Sequence, residues 1–85
     1  MIKILDFYAE WCKPCIIMGK ILDDFKLEEP DVIIEKINID SCNTDLINEY
    51  KIRNIPYLVI FKDSEIIYKG SGTINKEKIK TIING

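Results

Sequence analysis

Cys12 and Cys15 flank two residues in the segment Trp11-Cys12-Lys13-Pro14-Cys15, and a third cysteine, Cys42, stands apart. Two thiols so spaced at a strand-to-helix junction can close a disulfide within one helical turn. The N-terminal sulfur there meets the unpaired N–H groups and the positive dipole end of the helix, and both favour a thiolate. Thiolate is the attacking species in disulfide exchange, so Cys12 is the candidate nucleophile and Cys15, one turn inward, the candidate resolving thiol. Lys13 adds a positive charge beside Cys12. The spacing alone leaves two other readings open, half of a metal site or a pair of buried thiols; the first lacks further ligands, the second fits a helix start poorly.

Other chemistries are excluded by what is missing. Histidine is absent, which removes Cys-His nucleophiles, Ser-His-Asp triads and imidazole metal sites. Three cysteines cannot close a four-thiolate zinc site, and disulfide exchange through a dithiol needs neither a metal nor an organic cofactor. Lys plus Arg is 12 against 14 Asp plus Glu, a net charge of −2, with no basic block to hold phosphates, and nucleic acid is a poor partner. Residues 1–9 are interrupted by Lys3 and Asp6; they do not read as a signal peptide, and no apolar run approaches membrane-spanning length. An odd cysteine count is no secreted disulfide framework, so the expected setting is a reducing cytoplasm, with no membrane partner.

The elements that must position the pair follow from periodicity. Eighty-five residues suit one domain, 1–85, and a hydrophobic fraction of 47% with 19 isoleucines supplies the core that so short a chain needs. Ile2 to Tyr8 reads as a buried strand ending near the cysteines. From Pro14 to Glu28 the apolar residues Ile17, Met18, Ile21, Leu22 and Phe25 take helical spacing, with proline tolerated in the first turn. Val32 to Ile39 reads as a strand. Asp40-Ser41 offers cap-type side chains for a short helix carrying Leu46, Ile47 and Tyr50. Tyr57 to Phe61 and Ile66 to Tyr68 form a hairpin turned by residues 62–65. Asn75 caps a last helix with Ile74 and Ile79 at the positions of a hydrophobic staple. The order is βαβαββα: an α/β fold with a four-stranded mixed sheet flanked by three helices, available to both of its faces.

The run from Asp6 through Trp11 to Cys15 resembles the active-site segment of the thioredoxin family, whose usual core is Trp-Cys-Gly-Pro-Cys. The resemblance continues through Lys36-Ile37-Asn38-Ile39-Asp40, Ile52-Arg53-Asn54-Ile55-Pro56 and Gly72, and covers nearly the whole chain. It implies a thioredoxin-like fold and carries roles onto individual positions. Asp6 corresponds to a buried carboxylate that moves a proton to or from the resolving thiol, and Lys36 to its charged neighbour. By alternation alone Asp6 would be an edge-strand acid facing solvent; in the implied role, burial raises its pKa toward the range useful for proton transfer. Pro56 corresponds to a cis proline lying against the cysteines, and Ile55 before it to a residue offering backbone groups to an extended substrate. Gly72 completes that surface by allowing close backbone approach. Trp11 shields the disulfide, partly exposed, and with Lys13 and Pro14 meets the substrate.

Departures from the family pattern are equally legible. The strand and helix that precede the first strand in longer thioredoxins are missing, which brings the chain near glutaredoxin size. Lys13 replaces the usual glycine and should make the protein a slightly milder reductant; Tyr57 stands where threonine is common; Pro14 is retained and goes with reducing behaviour. Cys42 reads as a small buried hydrophobe, with a regulatory or dimer-forming thiol as the minor alternative.

The implied function is a monomeric thiol-disulfide oxidoreductase that reduces disulfide-containing proteins and is recharged by a thioredoxin reductase or similar electron donor. One rival is a glutaredoxin-like protein recharged by glutathione, favoured by length and opposed by Trp11 and Lys13-Pro14. Another is a binding subunit that needs no redox chemistry, opposed by the full set of Asp6, Cys12, Cys15 and Pro56. A disulfide-forming oxidant would need an oxidising compartment.

Overall fold

The computed structural model describes residues 1–42 and 44–85. Seven elements follow the expected order: β1 (Ile2–Tyr8), α1 (Lys13–Glu28), β2 (Ile33–Asn38), α2 (Thr44–Glu49), β3 (Tyr57–Lys62), β4 (Glu65–Ser71) and α3 (Lys76–Asn84). The strands lie side by side as β2-β1-β3-β4. β1 pairs parallel to β2 across the α1 crossover and antiparallel to β3, and β3 pairs antiparallel to β4.

β1 is therefore an interior strand, with a neighbour on each side and cover on both faces. That explains its run of four buried residues, Ile4 to Phe7, where a half-solvated strand would alternate. On one face Ile4, Leu58 and Ile60 pack with Met18, Leu22 and Phe25 of α1 and Ile79 of α3. On the other, Leu5, Phe7 and Val59 pack with Leu46 of α2 and with Tyr50 and Ile52 just beyond it. Phe7 meets the rings of Tyr50 and Tyr57 at centroid distances of 5.8 and 6.4 Å. Asp6 shares its face with Ile4 and is only 1% exposed, so the solvent-facing edge position suggested by alternation is not the one it occupies.

α1 buries Cys15, Met18, Leu22 and Phe25 along one stripe, the spacing that keeps successive side chains on the sheet. Its end is held by the Glu29 N–H donating to the Phe25 carbonyl at 2.9 Å and by Lys26 Nζ donating to the carbonyls of Pro30 and Val32. α3 starts as expected. The Asn75 side chain accepts from the Lys78 N–H at 2.8 Å, with Ile79 buried and Ile74 packed in the same layer. Glu28 at the far end of α1 ion-pairs with both Lys76 and Lys80 of α3, tying the two helices together.

Several expectations needed correction. β4 runs from Glu65 to Ser71, longer than Ile66 to Tyr68, because its pairing with β3 extends to Leu58↔Gly70 and Tyr57↔Ser71. The hairpin turn narrows to Asp63-Ser64, with Asp63 at φ 57°, a left-handed conformation that aspartate tolerates better than most residues. β2 is one residue shorter at each end than Val32 to Ile39. Asp40-Ser41 does not cap α2: the helix begins at Thr44, and Asp40 and Ser41 lie in the preceding turn, where Asp40 has a different partner. Cys42 is half-buried, not enclosed; its Sγ lies 3.9 Å from the Ile39 carbonyl in the same turn.

Candidate active site

The C-terminal end of β1 delivers the chain through residues 9–11 into α1, and Cys12 is the N-cap of that helix. Its backbone is extended, with φ −95° and ψ 106°, and its N–H donates to the Ala9 carbonyl at 3.2 Å. Its Sγ accepts the Cys15 N–H at 3.2 Å, one of the helix-end donors that has no intrahelical partner. Lys13 and Pro14 occupy the first two helical positions. Proline sacrifices nothing there, since its missing N–H would have been unpaired. Cys12 and Cys15 are joined as a disulfide with their Cα atoms 5.2 Å apart.

Burial does not separate the two sulfurs' residues, which are 6% and 4% exposed. Their surroundings do. Cys12 sits at the helix tip, while Cys15, a turn further in, borders a cleft of about 460 Å³ that Asp6, Gly19, Asp23 and Lys36 also line. Ala9 and both cysteines form one buried cluster against which Tyr8, Ile39 and Ile55 pack.

Asp6 Oδ1 is buried with no hydrogen-bond partner among the described residues. Burial pushes the carboxyl up to about 6; the Lys36 charge opposes the rise and the Asp23 charge adds to it. A group titrating there can take or give a proton near neutrality. Lys36 is the register partner of Asp6 across the parallel β1–β2 pair, as expected of a charged neighbour. Its ammonium, however, lies 3.0 Å from Asp23 Oδ1 on α1.

The remaining positions group around the disulfide in two sets. Trp11 is 69% exposed and its indole Nε1 donates to Asp40 Oδ2 at 2.9 Å, which ties the loop after β1 to the turn after β2. Pro56 is buried and follows a cis Ile55-Pro56 bond; its carbonyl accepts the Gly72 N–H at 2.8 Å, bringing the ends of β3 and β4 together beside Ile55. Gly72 has φ +91° and no atom within 4 Å of where a Cβ would stand. Within the chain its glycine is demanded by the left-handed backbone and not by crowding. Sequence reasoning missed two carboxylates here. Asp40 was read as a helix cap, and Asp23 was not singled out. Neither has a local pattern that names its partner, because Trp11 and Lys36 are distant in the chain.

The thioredoxin family model matches residues 1–85. The chain belongs to the thioredoxin family. It is 43% identical over 82 residues to the thioredoxin of Buchnera aphidicola subsp. Baizongia pistaciae, a match covering 95% of this chain and 74% of that protein. The thioredoxin of Chlamydia pneumoniae is 40% identical over 81 residues, covering 95% and 78%. Among solved structures, a mutant thioredoxin from Halobacterium salinarum aligns with a TM-score of 0.83 at 31% identity, over 98% of this chain and 72% of that one. Thioredoxin-2 of a malaria parasite reaches 0.90 at 16% identity, over 99% and 82%, a likeness of fold alone. Cys12–Cys15 is thus the active-site pair of a thioredoxin-type thiol-disulfide oxidoreductase, and the metal-site and buried-thiol readings of the C-x-x-C fall away. As in other thioredoxins, the substrates implied are disulfides. No helix among the described residues is long and apolar enough to cross a membrane.

Proposed function

We propose that this single domain works as a cytoplasmic dithiol electron carrier in which Cys12 attacks, Cys15 resolves and Asp6 handles the Cys15 proton. In the reduced protein the Cys12 thiolate attacks one sulfur of a target disulfide, forming the mixed disulfide and releasing the first target thiolate. Cys15 then yields its proton to the Asp6 carboxylate and attacks Cys12 Sγ. The mixed disulfide breaks, the second target thiolate leaves, and two electrons have passed from the Cys12–Cys15 dithiol to the target. Recharging runs the sequence backward, with a thioredoxin reductase or similar donor supplying the electrons.

The observation that carries this reading is the asymmetry around the pair: Cys12 Sγ at the helix tip accepts a backbone N–H, while Cys15 borders the cleft that the buried Asp6 lines. The first favours a sulfur anion; the second puts a group that titrates near 6 beside the thiol that must lose a proton. An extended protein substrate would dock along Trp11, Ile55, Pro56 and Gly72, with Lys13 and Pro14 forming the near wall. Lys13 holds the reduced form slightly more stable than glycine would, giving a milder reductant, and Lys13→Gly should raise the Cys12 pKa in a thiol titration.

The deciding experiment traps the intermediate. Cys15→Ser, mixed with a disulfide-bearing protein such as insulin, should accumulate a covalent one-to-one adduct at Cys12 that dithiothreitol releases, and Cys12→Ser should give none. An adduct mapped to Cys15 in the Cys12→Ser protein would reverse the assignment. Parallel turnover assays with a thioredoxin reductase and with glutathione identify the donor: activity confined to glutathione would remove the reductase from the scheme.

A further inference from the structure

Asp6 and Lys36 are direct neighbours in the β1–β2 register, so their side chains leave the same face of the sheet, and the simplest arrangement would be an ion pair between them. The structure has another. Lys36 reaches across the cleft to α1, where its Nζ is 3.0 Å from Asp23 Oδ1, and Asp6 Oδ1 is left buried and without a hydrogen bond among the described residues. Its path runs beside Gly19: a Cβ there would stand 3.8 Å from Lys36 Nζ, at ordinary contact distance. The ammonium therefore rests over the turn of α1 that follows Cys15, between two carboxylates, and bonds only the outer one.

We propose that Asp23 is a positioning residue of the thiol chemistry: it holds the Lys36 ammonium over Gly19 and away from Asp6, keeping the buried carboxyl free to exchange a proton with Cys15. The inference rests on the reading of Asp6 as the proton partner of Cys15. Lys36 has two resting places open to it, and they are unequal. Moving inward would strip water from the ammonium, a cost that only a well-formed pair with Asp6 could offset. Moving outward keeps both Lys36 and Asp23 partly in water, with side chains 41% and 67% exposed. Such an exposed pair adds little to folding stability; its consequence is where it leaves the charge. A lysine bonded to Asp6 would lock the carboxylate in its ionised form and draw its titration down. Held by Asp23, it acts on Asp6 only through space, consistent with burial outweighing the lysine in setting the Asp6 titration.

The other charged groups near Asp6 do not substitute for this arrangement. On its own strand and the loop after it are Tyr8 and Glu10, and α1 adds Lys20 to the same cleft along with Cys15. Its β3 partner is the apolar Leu58. α3 contributes Ile79 to this layer and turns Lys76 and Lys80 to Glu28.

The test reads the Asp6 carboxyl directly, by ¹³C NMR titration of the oxidised full chain labelled at aspartate. Asp23 is exposed, so its variants should fold, which amide spectra verify. Asp23→Asn should lower the Asp6 midpoint by about one pH unit as Lys36 turns inward, and Asp23→Glu should restore it. In a Lys36→Met background the same Asp23→Asn change should move the midpoint far less. No movement in Asp23→Asn overturns the proposal, and so does an equal movement with Lys36→Met, which would assign the effect to the bare Asp23 charge. The pH profile of mixed-disulfide resolution, measured in single turnovers, separates this from the reading beneath it. An acid limb that follows the Asp6 midpoint supports both. A midpoint that falls while the limb stays fixed overturns the proton role of Asp6 and leaves the placement of Lys36 by Asp23 standing.

Discussion

The two ends of α1 treat a carboxyl group in opposite ways. At the N-terminal end Asp6 is enclosed without a direct partner at Oδ1, and burial pushes it up to about 6. At the C-terminal end Glu28 is exposed to solvent and bonded by Lys76 and Lys80, which hold it down at about 2. Desolvation without compensation disfavours the charged form, and hydrogen bonds from cations favour it. The same helix thus carries a functional end, where an unsatisfied acid and unpaired N–H groups are left available to sulfur, and a structural end, where Glu28 is tied to α3 and the Glu29 N–H to the backbone. Leaving a buried acid unpaired costs stability, which is why such groups mark sites of chemistry more often than sites of packing.

The largest expected effect that sharpens this contrast is on stability. Asp6 keeps its proton in the folded oxidised protein up to about pH 6 but loses it near the ordinary aspartate value when unfolded. Its contribution is therefore favourable below the unfolded value and is lost as pH rises toward 6. The shift of about two units corresponds to at most about 3 kcal/mol of destabilisation at pH 7. Asp6→Asn should recover most of it, seen as a higher denaturant midpoint at pH 7 that converges on wild type near pH 4. A stabilisation that persists unchanged at pH 4 would assign the effect to packing and break the comparison.

Next in size is the kinetic counterpart. Asp6→Asn should slow resolution of the mixed disulfide by about 10²-fold, the usual scale of a positioned acid or base, and leave its formation nearly unaffected. Rapid-mixing measurements of the two steps check this, and equal slowing of both would count against a role at Cys15. The acid limb expected of wild type should also be missing from the variant.

The smallest effect belongs to the other end of the helix. Glu28→Gln removes the anchor of both lysines and should lower the melting temperature slightly at pH 7, with the difference shrinking in high salt as exposed ion pairs are screened. Because the Glu28 pKa is depressed, its contribution is present above the ordinary glutamate value and is lost as pH falls toward 2. Redox activity should not change. A Glu28 variant that lost disulfide reduction would show that the two ends are coupled through the helix.

Read from the chain alone, the chemistry of this site is local and so was legible. A C-x-x-C at a helix start places one sulfur near the N-cap, and the repeat of Met18, Leu22 and Phe25 obliges that helix to bury one face against the core. Asn75 with Ile74 and Ile79 specified the start of α3 for the same reason: capping and stapling act over a single turn or so of chain. Legibility failed where partners are far apart in sequence. Alternation alone would set Asp6 at a solvated edge; its burial was expected from the family resemblance and not from any local pattern. Asp40 matched a capping pattern, yet its carboxylate serves the indole of Trp11. Gly72 was marked for its place on the docking surface, and nothing local revealed that its backbone also takes φ +91°.

The sequence by itself determined the order of the elements, the helical sulfur pair and the family to which they point, since periodicity, capping and motif spacing are short-range properties. Only the tertiary structure decided how Asp6 is enclosed, that Lys36 is drawn to Asp23 across the cleft, and that Glu28 gathers two lysines from the last helix. Those outcomes depend on burial and on charges meeting from separate elements, and the dielectric and the distances that govern them exist only once the chain has folded.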